Sequence, residues 1–252
     1  MTAPLLRVDD LVVSFSGFRA IDGMSLSLQS GEIRVLIGPN GAGKSTFCDA
    51  IIGRVRVASG RIAFKGQDIT RLSEHAIVGR GICRKFQAPG VLPSLTVAEN
   101  LAIAACGDRR WWRNLGVAIP SAERERVDEI LERIGLADRR EVVAGELAHG
   151  EKQWLEIGMV VSTDAELLLL DEPTAGMGPA ETARTAELVR SLAGRHTVMV
   201  IDHDMAFVEQ LAAPVTVMHQ GKLLKEGSVA EIRADAEVAA VYLGRTKHDA
   251  AA

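Results

Sequence analysis

Nine residues, Gly38-Pro39-Asn40-Gly41-Ala42-Gly43-Lys44-Ser45-Thr46, interrupt an otherwise regular apolar pattern and leave few folds open. They fit GxxxxGK[ST], the pattern of a loop that cradles phosphate. They also lie where that loop must lie, after the short apolar strand Ile33 to Ile37 and before a helix-like stretch from Ser45 to Ile52. The glycines let the backbone wrap close to an anion, and successive N–H groups and the positive end of the helix dipole face it. Lys44 supplies a point charge and Ser45 a hydroxyl ligand for Mg²⁺. A strand feeding a loop and a helix is the building unit of a parallel sheet, so the expected class is α/β.

Two further strand ends carry matching chemistry. Leu167 to Leu170 reads as a strand buried on both faces, and Asp171 and Glu172 stand at its C-terminal end, where ligands bind in open α/β sheets. Beside a phosphate loop, Asp171 is expected to support Mg²⁺ and Glu172 to orient and deprotonate an attacking water. The apolar strand Thr197 to Ile201 is followed by Asp202 and His203, and this order favours His203 as a phosphate sensor. Gln87, in Lys85-Phe86-Gln87-Ala88-Pro89, carries little by itself.

The rest of the chain frames these ends. Met24, Leu26 and Leu28 alternate with polar residues, so the chain opens with half-buried β-structure. From about Val91 to Val161 the period becomes helical, as at Val127, Ile130, Leu131 and Ile134. A polar helix from about Ala180 to Leu192 separates the two buried strands. Val215 to His219 and Lys222 to Glu226 flank Gln220-Gly221 as a hairpin, and a last helix runs to about Leu243.

Composition excludes several classes of function. The formal net charge of -4 gives no global field for nucleic acid. Cys48, Cys83 and Cys106 have neither disulfide nor zinc spacing. Apolar runs fall far short of the roughly 20 residues that span a bilayer. Asp9 and Asp10 follow too soon for a signal peptide, so a cytoplasmic chain is expected. Arg109-Arg110-Trp111-Trp112-Arg113 reads as a solvated, partly packed loop in preference to a lipid or permease contact.

Taken in order, Gly38 to Thr46, Gln87, Leu147-Ala148-His149-Gly150-Glu151, Leu167 to Glu172 and His203 resemble the nucleotide-binding subunit of ABC transporters over essentially the whole chain. Gly81 to Leu101, Leu147 to Met159 and Ala175-Gly176-Met177 are similar to the branch that imports branched-chain amino acids and urea, and Lys152-Gln153-Trp154 resembles the urea member. The resemblance implies a single ABC ATPase domain over 1–252. Its P-loop NTPase core would comprise 1–90 and 162–252, with a parallel sheet and an N-terminal antiparallel β subdomain, and 91–161 would be an inserted helical subdomain. It implies ATP and Mg²⁺ as cofactors, with Ser45, Gln87 and Asp171 at the metal. Glu172, His203, Gln87 and Lys44 would act in catalysis and Phe15 would stack on adenine. Ala148, His149, Gly150 and Glu151 would face nucleotide across a dimer of ATPase subunits. Implied partners are a second ATPase subunit, integral membrane permeases and, indirectly, a solute-binding protein, at the inner face of the membrane.

Three positions depart from the family pattern LSGGQ: Ala148 lacks the hydroxyl, His149 replaces glycine and Glu151 replaces glutamine. Gly178 stands where an acidic or amide residue is usual, and Phe15 replaces the commoner tyrosine, a small change because stacking uses the ring face. A soluble ABC ATPase with a non-transport task would share every nucleotide motif and stays open at this stage. Intact Lys44, Asp171, Glu172 and His203 argue against a non-hydrolysing module.

Overall fold

A computed structural model describes residues 3–85, 90–105 and 121–243; Gln87, Cys106 and the Arg109 to Arg113 run lie outside them. The chain opens with a hairpin, β1 (Leu6–Phe15) and β2 (Phe18–Leu28), turned by Ser16 and Gly17 with positive φ. Next come β3 (Ile33–Ile37), α1 (Lys44–Ile51), β4 (Ser59–Phe64), β5 (Gln67–Asp68), α2 (Glu74–Val78) and β6 (Ile82–Lys85). Helices α3 (Val97–Ala105), α4 (Ser121–Ile134) and α5 (His149–Ser162) occupy the middle of the chain. Then follow β7 (Leu167–Asp171), α6 (Pro179–Leu192), β8 (Thr197–Ile201), α7 (Met205–Leu211), β9 (Val215–His219), β10 (Lys222–Gly227), α8 (Val229–Ala234) and α9 (Ala236–Leu243).

The strands form two sheets. One is antiparallel, in the order β2-β1-β4-β5, and the other runs β10-β9-β3-β8-β7-β6, parallel except for β10 at its edge. The apolar runs of the second sheet make sense once their period of two is followed. Val35, Ile37, Leu168, Leu170, Val198 and Val200 face one core, which they share with α3 to α6. Leu36, Leu167, Leu169, Met199 and Ile201 face a second core, shared with the antiparallel sheet and with Phe47, Cys48 and Ile51 of α1. A strand buried on both faces needs apolar residues at every position, so β7 reads as four consecutive leucines.

The helical middle packs closely. A Cβ at Gly158 of α5 would lie 2.8 Å from Ile134 Cδ1 of α4 and 3.1 Å from Leu101 Cδ2 of α3, so glycine sets how near the three helices come. Lys85 of β6 and Glu156 of α5, both buried, pair at 3.1 Å and tie this layer to the sheet.

Candidate active site

Sheet register brings the chemistry to one edge. Leu36 of β3 lies opposite Ile201 of β8, and Ile201 lies opposite Asp171 of β7. The three strands are neighbours, so the phosphate loop, Asp202-His203 and Asp171-Glu172 all leave the sheet in one row at its carboxyl end.

The loop is built on close backbone approaches. Gly38 and Gly43 have φ of 156° and 103°, and a Cβ at Gly43 would sit 2.6 Å from the Ala20 carbonyl oxygen. A Cβ at Gly38 would overlap the Met218 carbonyl oxygen of β9. The Gly221 N–H of the β9–β10 turn donates to the Ala42 carbonyl at 2.9 Å and so braces the loop from behind. Lys44, first residue of α1, reaches back with Nζ 2.6 Å from the Gly38 oxygen and 3.2 Å from that of Pro39. Its charge therefore lies over the concave face of the loop, and Ser45 and Thr46 follow in the first turn of α1.

Asp171 is almost fully buried. Its Oδ2 accepts from Arg84 Nη2 at 2.6 Å, and Arg84 Nη1 donates to Asp49 Oδ1 of α1 at the same distance. Asp171 Oδ1 is buried and makes no hydrogen bond among the described residues. Glu172 adopts φ +45°, a conformation that costs a non-glycine residue energy and recurs at functional sites. Its N–H donates to Ile201 O at 2.8 Å, and its half-exposed carboxylate lies 3.5 Å from His203 Nδ1. Buried Asp202 organises both loops, since Oδ1 accepts the N–H groups of His203 and Asp204 and Oδ2 accepts the hydroxyl of Thr174 at 2.7 Å.

Phe15 ends β1 opposite Phe18, and both rings are exposed at the hairpin tip. Ala148 is the N-cap of α5, and its methyl side chain accepts no hydrogen bond from the first turn of that helix. Both carboxylate oxygens of Glu151 are engaged within the chain: Oε2 accepts the Ala148 N–H at 2.9 Å and Oε1 pairs with Arg139 at 3.2 Å. Gly150 faces Glu181 of α6, and Gly178 caps α6 by donating its N–H to Glu181 Oε2 at 2.9 Å. Arg84 and Asp202 were not singled out from the sequence. For Asp202 the signal is a charge directly after an apolar strand, whereas Arg84 stands beside Lys85 at the end of a four-residue strand and carries none.

A glycine-built loop leading into a helix, a lysine reaching back across it and an orphaned buried carboxylate oxygen fit the phosphates of a nucleotide and Mg²⁺. Residues 21–175 match the family model described as ABC transporter. The chain belongs to the ABC transporter family of ATPases. It is 36% identical to the high-affinity branched-chain amino acid transport ATP-binding protein LivG of Salmonella typhimurium, over 97% of this chain and 99% of that one. It is 33% identical to the corresponding protein BraF of Pseudomonas aeruginosa, again over 97% and 99%. Among solved structures it resembles an ABC transporter ATP-binding cassette in its ADP conformation, with a TM-score of 0.86 at 30% identity, covering 96% of this chain and 100% of that one. As an ABC ATPase it uses ATP with Mg²⁺, which when bound screens phosphate charge. Among the described residues no helix is long and apolar enough to cross a membrane.

Proposed function

We propose that this ABC ATPase is the motor subunit of an importer, coupling MgATP hydrolysis to solute uptake through membrane permeases to which it binds at their cytoplasmic face. The supporting observation is the single row formed by Leu36, Ile201 and Asp171, which sets the phosphate loop, Glu172 and His203 round one space. In that space Lys44, the loop N–H groups, Ser45 and Thr46 hold phosphate, and Asp171 and Ser45, with Gln87, hold Mg²⁺. Phe15 stacks on adenine. Glu172 takes the proton of the water that attacks the terminal phosphate, and His203 senses that phosphate. The whole chain acts as one ATPase domain whose helical part, 91–161, carries the first turn of α5 to the nucleotide of a second ATPase subunit. In that arrangement two ATP molecules are sandwiched, and the contacts come from the backbone of Ala148 to Glu151.

For the solute, a branched-chain amino acid is favoured by the relatives' names. The urea reading rested on Lys152-Gln153-Trp154. In the fold Lys152 donates to Gly145 O and Trp154 is buried, with its indole N–H on Thr185 Oγ1, so both side chains are engaged within the chain. Isolation of the native membrane complex tests the proposal. Permeases should co-purify, and vesicles carrying the complex should accumulate labelled leucine under ATP. Absence of permeases overturns the importer, and uptake of urea instead of leucine overturns the solute class.

A further inference from the structure

His149 is one of the departures from the family pattern, and its side chain is engaged within its own chain. Its Nε2 lies 2.9 Å from the carbonyl oxygen of Ala175. A carbonyl only accepts, so Nε2 carries the proton and donates. Gly176, at φ +75°, makes room for the ring: a Cβ there would stand 2.9 Å from Nε2. The other side of Ala175 is also tied, because its N–H donates to the Glu172 carbonyl at 3.2 Å. One residue thus carries both bonds, and the first turn of α5 is joined through it to the turn that holds Glu172 at φ +45°.

We propose that His149 is a positioning residue for Glu172, fixing through Ala175 the turn from which the Glu172 carboxylate reaches the reacting water. The proposal rests on the reading of Glu172 as the base. On the sandwich arrangement the tie also has direction: it links a loop facing the partner subunit's nucleotide to the carboxylate serving this chain's own. Without it, the strained turn has one restraint fewer and Glu172 spends less time in place. The loss should fall on the chemical step and spare binding, since no atom of the phosphate cradle changes.

The test compares His149→Ala, His149→Gln and His149→Asn in the isolated membrane complex. A glutamine amide nitrogen reaches about where Nε2 lies, whereas that of asparagine falls nearer Nδ1. Loss of one neutral hydrogen bond is expected to lower kcat of His149→Ala roughly 3- to 10-fold. KM and ATP affinity should hold. His149→Gln should return within about twofold of the parent and His149→Asn should behave like His149→Ala. Parental kcat in His149→Ala, no rescue by glutamine, or a rise in KM with kcat unchanged each overturns the proposal. Near-normal turnover in Glu172→Gln would instead sink the reading of Glu172 itself, so the two failures are told apart.

Discussion

Lys44 shows how much rests on one side chain. Its ammonium spans the phosphate loop through the Gly38 and Pro39 carbonyls, and a nucleotide phosphate would draw the same charge. A charge-assisted contact is worth about 1.5 to 3 kcal/mol, so Lys44→Ala should weaken ATP binding about 10- to 100-fold in a titration, with the circular dichroism of the parent retained. Unchanged affinity would remove Lys44 from the site. As candidates, Lys44 and Ser45 were legible from the GxxxxGK[ST] pattern between a strand and a helix, and Asp171, Glu172 and His203 from their places at or just past the ends of apolar strands. Arg84 was not. Its partners, Asp49 and Asp171, lie 35 and 87 residues away, and a charge beside Lys85 in a four-residue strand looks like any solvated strand end. Only the tertiary fold reveals that its guanidinium neutralises the acidic end of β7. The engagement of Glu151 is likewise visible only in the fold, where its two oxygens are occupied by the cap of α5 and by Arg139.

Among the elements, β6 and α5 are joined by the Lys85–Glu156 pair, both side chains being more than nine-tenths buried. Desolvation opposes such a pair, and removing one partner strands the other charge. Glu156→Gln is expected to destabilise the protein by about 3 to 5 kcal/mol in urea unfolding, while Lys85→Met combined with Glu156→Leu should recover most of that loss. Equal stability of single and double variants would show that the pair contributes no coupling. The same helix alters what a change at Gly150 can report. A side chain there meets Glu181 of its own chain, so lost activity in Gly150→Asp has an intramolecular cause as well as one at the nucleotide. Element boundaries were legible where periodicity was clean, as in α6 and β8. β1 was harder, because Leu6 and Val8 share a face with Leu11 and Val13. The phase slips by one residue at a bulge near Asp10, where φ is +44°.

At the scale of the whole molecule, the site exists because β8 lies between β3 and β7, an order the chain itself does not follow. The alternation of Leu167 and Leu169 against Leu168 and Leu170 fixes which core each leucine joins, but nothing local states which strand is the neighbour. The α/β class and the phosphate loop could be read from sequence; the alignment of Leu36, Ile201 and Asp171 in one row across three neighbouring strands could not. The proposed role of Glu172 as the base of an ATP-driven motor rests on that alignment, and Glu172→Gln in the assembled complex tests it most directly. MgATP affinity should match the parent, because the cradle is untouched, while ATP hydrolysis should fall about 100-fold or more and solute uptake with it. Near-parental ATPase activity in a clean Glu172→Gln preparation would contradict the mechanism.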